Sequence, residues 1–141
     1  MERGHAAVEF AMGVAVLMLP IALVVTSFGP WSERRVFAEA AAAETARAAV
    51  IALDQDPGAD VLSRAAAGFG LDQELVRLGW CGAAPGPLPG GAGNCVMSRG
   101  STVSVEVRVW TPLFDTPWGV VGGLWVVAEH VEPVDLYRSF P

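Results

Sequence analysis

Residues 10–31 read FAMGVAVLMLPIALVVTSFGPW, 22 consecutive positions without a formal charge. As α-helix this run is roughly 33 Å long at about 1.5 Å per residue, enough to cross the hydrocarbon layer of a bilayer. Pro20 lies mid-run, where it removes one backbone hydrogen bond and predicts a bend that a membrane helix tolerates. Gly29-Pro30 predicts an interruption, or at least a kink, at the exit from the span. The rest of the composition fits one anchored domain. The chain has 141 residues, 52% hydrophobic and 17% charged, with a mean hydropathy of +0.43. These values exclude a disordered tail as its main content. The charged fraction lies below the roughly 25% of an ordinary soluble domain.

Nine Arg, no Lys and fifteen acidic residues leave a net charge of −6. No basic stripe is present to neutralise a phosphate backbone, so nucleic acid is not an expected partner. After Trp31 there are eight Arg against thirteen Asp or Glu, so the acidic balance belongs to the part that would face water. Arg34 and Arg35 follow the span while only Arg3, opposed by Glu2, precedes it, a count that by itself favours an outward N-terminus. Two cysteines beyond the span argue for an oxidising exterior, and the N-terminus is therefore placed in the cytoplasm.

Three readings compete for the N-terminal segment: a secretory signal peptide, a plain single-pass anchor, and a pilin-type anchor trimmed at its start. Val25 and Ser27 are small residues at the spacing of a signal cleavage site before Phe28. Against that cut, Glu9 interrupts the start of the apolar region, and Met1-Glu2-Arg3-Gly4-His5 has almost no net positive charge. Glu9 is the most informative residue. A carboxylate at the centre of an apolar span costs on the order of 3 kcal/mol, less toward the interface, and marks function unless paired. The plain alternative is that Glu9 sits among headgroups near the positive end of the helix dipole.

The stretch Arg3-Gly4-His5-Ala6-Ala7-Val8-Glu9-Phe10 resembles the N-terminal motif of the TadE/TadG-like minor pilins of the tight-adherence (Tad) pilus, a branch of the type IV pilin family. In that family a prepilin peptidase cuts after the glycine and leaves a glutamate as the fifth residue of the mature chain, usually followed by Phe or Tyr. The resemblance implies a processing site between Gly4 and His5, with Glu9 and Phe10 as the assembly motif. The spacing also has a physical basis. A cut after Gly4 creates an α-amino group roughly 6 Å along the helix from Glu9, with a reference pKa of about 8. In a fibre that ammonium can pair with the Glu9 carboxylate of a neighbour, offsetting desolvation and setting axial register.

Residues 32–53, SERRVFAEAAAAETARAAVIAL, are Ala-rich and free of Gly and Pro, and predict a helix with Ser32 able to cap its first turn. Val36, Ala40, Ala43, Ala46, Val50 and Leu53 are expected on one face, with Glu33, Glu44 and Arg47 available to water or partners. TadE-like proteins carry a similar Ala-and-Arg-rich helix after the span. The alanine stripe suits either packing in a fibre or a helix laid on a small sheet. Asp54-Gln55-Asp56-Pro57-Gly58 predicts a turn, followed by a short helix over 59–67 and a further helical turn over 72–78.

Cys81 and Cys95 bracket GAAPGPLPGGAGN, too rich in Gly and Pro for regular structure. A disulfide is the simplest account of the pair, stabilising by roughly 3 kcal/mol through loop closure. A metal site or reactive thiol lacks the spacing and a nearby His. Residues 101–110, STVSVEVRVW, alternate as a half-buried strand with Val103, Val105, Val107 and Val109 on one face. Residues 126–131 form a second expected strand. The connection over 111–123 holds Pro112, Pro117 and Gly122-Gly123 as breakers. Its Leu113, Phe114, Trp118, Val120 and Val121, with Trp110, are expected to fill the core between sheet and helix, ahead of a surface for pilins or the membrane interface. Glu129 and His130 alternate across a strand and predict a solvated end instead of a metal or acid–base site.

The expected fold is α+β: an N-terminal transmembrane helix and an Ala-rich long helix packed on a small antiparallel, pilin-like sheet. Its parts are a leader over 1–4, a span over 5–31 and an extracytoplasmic domain over 32–141. No nucleophile–base set, phosphate loop or zinc signature is visible, so neither enzyme activity nor a cofactor is expected. The resemblance implies a subunit of pilus assembly, adhesion or secretion in the bacterial cytoplasmic membrane, or in the pilus after assembly. Its partners would be the prepilin peptidase, other Tad pilins, membrane assembly proteins and the lipid bilayer. An interrupted helix and a length well above that of the main Tad fibre subunit favour a minor role. The alternative is an uncut, single-pass binding protein with an extracytoplasmic domain.

Overall fold

A computed structural model describes residues 5–116 and 118–137. Its first element, α1, is one helix over His5–Ala52, 48 residues and so about 72 Å long. The expected break at Gly29-Pro30 is absent: Pro20 and Pro30 both lie inside the helix. Each proline removes a single N–H from a ladder that continues on both sides. Ser32 accordingly does not cap a first turn. It sits mid-helix, and its Oγ donates to the Gly29 carbonyl at 2.8 Å.

Among the described residues, nothing buries the first half of α1, where an 18-residue apolar window has no buried residue. Burial begins with Phe37 and continues through Ala38, Ala41, Ala42, Thr45, Ala46, Ala49 and Val50. Two adjacent positions per turn make a stripe wide enough for two neighbours. The expected face was correct at Ala46 and Val50 and close at the partly buried Leu53, but Val36 is 66% exposed and Ala40 is also outside. Alanine suits every face of a helix, so the composition did not locate the stripe.

Leu53 adopts a left-handed φ of 57° and turns the chain. Helix α2 then spans Gln55–Gly68, with the Asp54 carboxylate accepting from the Asp56 N–H as N-cap. It starts four residues before the expected 59, because Pro57 falls in the first turn, where its missing N–H costs nothing. The helix runs back along α1. At Gly58 the two backbones nearly touch: a Cβ there would stand 2.7 Å from the Thr45 carbonyl oxygen, 2.8 Å from Trp80 Cη2 and 3.2 Å from Ala49 Cβ. At the other end Phe69 stacks on Phe37 with ring centroids 4.9 Å apart.

The expected helical turn over 72–78 is only a 3-10 turn at Gln73–Leu75, followed by strand β1 over Val76–Trp80. Val76, Leu78 and Trp80 point inward and Arg77 outward, a period-two pattern that overrides the helical start. Strand β2 is the dipeptide Gly86–Pro87, a short regular piece within the Cys81–Cys95 loop. Strands β3, Thr102–Thr116, and β4, Gly119–Pro133, complete an antiparallel sheet of order β2-β1-β3-β4.

The connection expected over 111–123 is therefore not a loop. Pairing runs from Thr102↔Pro133 to Pro112↔Gly123 and resumes from Phe114↔Val121 to Thr116↔Gly119. Pro112 is tolerated because β1 pairs only as far as Val109, so beyond that point β3 has a free edge. One face of the sheet presents Val103, Val105, Val107, Val109, Val126 and Ala128 to the helices.

Gly58→Ala is expected to cost about 1–3 kcal/mol by forcing α2 off α1 and Trp80. Thermal unfolding of the full chain in detergent, followed by circular dichroism, measures it; an unchanged midpoint would show that the helices part freely here.

Candidate functional site

The N-terminal motif lies at the free end of α1. Gly4, the residue before the expected cut, lies outside the described residues, and His5 is the first helical residue. Glu9 and Phe10 are exposed on the opening turns, Phe10 by 76%. His5 and Glu9 are four residues apart on one helix and so share a face. A mature amino group at His5 would stand one turn from the Glu9 carboxylate. Val8, Phe10, Met12 and Val16 are exposed around that turn and offer an apolar surface to lipid or to another helix.

Where the apolar run meets the head, α1 carries an aromatic and basic collar. Phe28 and Trp31 have ring centroids 5.5 Å apart, and the Arg35 guanidinium lies 5.6 Å over the Trp31 ring. Arg35 also pairs with Glu39 at 2.9 Å, a surface contact worth under about 1 kcal/mol. Arg34 is half-buried, and its Nη1 has no hydrogen-bond partner among the described residues. Burial lowers its guanidinium pKa from the ordinary value, while the Glu33 carboxylate acts in the opposite sense. Trp and Arg at this position match the preferences of a membrane–water boundary. Just beyond, Ser32, Glu33, Val36, Phe37, Ala40 and Phe69 line an open, largely apolar groove of about 500 Å³.

Cys81 and Cys95 form the expected disulfide, with an S–S distance of 2.02 Å and Cα atoms 5.4 Å apart. Backbone bonds hold the loop onto β1. Ala92 N–H donates to the Leu78 carbonyl, Trp80 N–H to the Ala92 carbonyl, and the Trp80 indole N–H to the Gly90 carbonyl. The disulfide thus clips a loop over the end of the sheet nearest the α1–α2 turn.

The outer face of the sheet carries a cluster that the sequence did not signal. Trp110 and Trp125 pair across β3 and β4 with centroids 5.4 Å apart, edge to face, and Arg77 reaches from β1 to lie 5.3 Å over Trp125. Gly123 makes room for this arrangement, since any Cβ there would overlap the Trp110 indole. Leu113 and Phe114 are 39% and 37% exposed, Val120 and Val121 each 57%, and Trp118 94%. These side chains do not fill the core, as expected from their apolarity; they stand at the far end of the hairpin, past the last pairing with β1. Cross-strand pairing, which links positions distant in sequence, was the missing signal.

Glu129 is exposed, while His130 and Glu132 are partly exposed and pair at 3.0 Å on the other face of the strand. Among the described residues no three His, Cys, Asp or Glu side chains gather in a group able to hold a metal. Comparison with protein-family models, with curated proteins and with solved structures found no match to this chain.

Gly123→Ala is expected to push the Trp110 indole away from Trp125 and to abolish the near-ultraviolet circular dichroism of the paired rings. Arg34→Met is expected to leave the thermal midpoint unchanged or raise it, because the guanidinium is desolvated and one of its nitrogens is unpartnered; a clear fall would show that the charge is compensated.

Proposed function

We propose that the chain is a TadE-like minor pilin or pseudopilin, processed after Gly4 and held in the cytoplasmic membrane by the first half of α1 until assembly. The observation that carries this reading is the Gly4–Glu9–Phe10 spacing placed directly before a membrane-length helix. Support comes from the architecture: that helix continues without a break into a head where small residues pack on an antiparallel sheet. Such a helix couples the buried end of a subunit rigidly to its exposed head. The uninterrupted helix removes the hinge as a reason for a minor role, which then rests on chain length relative to the main Tad fibre subunit.

In this reading Glu9 acts by charge pairing. In lipid its carboxylate is costly; in a fibre a neighbour's new α-amino group neutralises it and fixes the axial step between subunits. The head, closed by the Cys81–Cys95 disulfide, is displayed outside and makes the lateral contacts. No part of the proposal requires a cofactor or a catalytic group.

Intact mass and N-terminal sequencing of protein recovered from membranes, with a prepilin peptidase coexpressed, are the decisive test. A mature chain beginning at His5 is expected. One beginning at Met1 or Glu2 would identify an uncut anchor, and one beginning at Phe28 a secreted domain; either would withdraw the pilin reading. Glu9→Ala is expected to leave the protein folded and membrane-bound but to abolish its incorporation into pili, and full incorporation would refute charge pairing.

A further inference from the structure

Pairing positions set the direction of the β3–β4 hairpin relative to α1. Trp80 pairs with Val105, and Gly58, which approaches Trp80, also approaches Thr45 and Ala49. Val105 therefore lies level with the Thr45–Ala49 part of α1. Val76 pairs with Val109 and follows the chain that leaves α2 just after Phe69, which stacks on Phe37. As β3 advances from Val105 to Val109, the level on α1 thus moves back toward Phe37. The hairpin end points the same way as the span.

Its reach is sufficient to meet a membrane. From Val109 to Thr116 is seven residues, about 23 Å of strand, whereas the nine residues from Phe37 back to Phe28 cover only about 13 Å of helix. A tilt between strand and helix shortens this reach without reversing it. We infer that the end of the β3–β4 hairpin, carrying Phe114, Trp118 and Val121, is a second membrane contact that enters the outer headgroup and upper acyl region beside α1. This rests on the reading of α1 as the anchor.

The chemistry of the hairpin end fits that occupant. Between Arg108 and Glu129 the only charged residue is Asp115. Trp118 is 94% exposed at the turn, where an amphipathic indole suits the interface. Depth is bounded as well. Among the described residues β4 is the last strand of the sheet and β1 pairs with β3 only as far as Val109, so this end of the sheet has edges whose backbone groups need water or headgroups. Asp115 imposes the same limit. The contact is interfacial and does not reach the bilayer centre. It would hold the head upright against the membrane and set its rotation about α1.

The test uses the full chain reconstituted in vesicles of phosphatidylethanolamine and phosphatidylglycerol, with lipids brominated near the top or the bottom of the acyl chains. The difference in tryptophan fluorescence between the unaltered protein and Trp118→Phe reports Trp118 alone. Expected is a blue-shifted component quenched by the shallow bromines, weakly by the deep ones, and shielded from acrylamide. Phe114→Asp with Val121→Asp, both at exposed positions, is expected to return Trp118 to water and restore acrylamide quenching. A Trp118 component quenched by acrylamide and untouched by brominated lipid overturns the inference. Shielding that disappears when the protein is diluted into tenfold more lipid also overturns it and assigns the contact to a second copy. Alkaline carbonate extraction separates the two claims: retention of the chain with a wet Trp118 refutes only the hairpin contact, whereas release refutes the anchor and the contact together.

Discussion

The backbone of α1 must satisfy its own hydrogen bonds along an apolar stretch that nothing in the head covers, then offer a small-residue face to two different neighbours in water. An α-helix meets the first demand because it pairs its N–H and C=O groups locally, apart from the N–H that Pro20 and Pro30 each lack. The second is met by Ala38, Ala41, Ala42, Ala46 and Ala49, whose short side chains let α2 and the sheet both come close. One close approach is Gly58 against Thr45 and Trp80, where a Cβ would force its neighbours to shift. With α2 held there, the chain re-enters at Leu71 and Val76, which places β1 and, through it, β3 and β4.

The head has two apolar regions of different character. The inner one, valines of β3 facing alanines of α1, is closed to water and accounts for the fold. The outer one, Trp110, Trp125 and the hairpin end, remains accessible and contributes little to holding the helices and sheet together. Exposed aromatic residues at a hairpin end are uncommon in a soluble domain, and a neighbouring surface of lipid or protein gives them an environment that water does not. The disulfide acts at the opposite end of the sheet, near Trp80, so the covalent clip and the exposed hairpin turn are separated along β3.

Much of this architecture was legible from one-dimensional patterns. The apolar run, the Ala-rich helix, the alternation of Val103 to Val109 and the Cys81–Cys95 pair each signal through neighbours in sequence, and each is present. Two of the misreadings share one cause. Gly29-Pro30 was expected to break a helix that runs through it, and 111–123 was expected to be a loop although most of it is paired across a hairpin. Local breakers act locally, whereas ladder pairing and helix propagation are cooperative and absorb a proline wherever an edge is free. For the candidate site, the Gly4–Glu9–Phe10 spacing was readable because it is a pattern within one short stretch of sequence.

The sequence by itself determined that the chain has one membrane-length apolar segment with a carboxylate near its start, a long alanine-rich helix, a valine strand and a cystine. These follow from composition and from periods of 3.6 and 2 along neighbouring residues. Only the tertiary structure decided which face of α1 is buried, that β1 exists, and that the Trp- and Phe-rich segment is a hairpin directed back toward the span instead of core filling. Those outcomes depend on register between paired elements, from neighbours across the hairpin turn to positions such as Val76 and Val109, where the energy lies in contacts that no local pattern encodes.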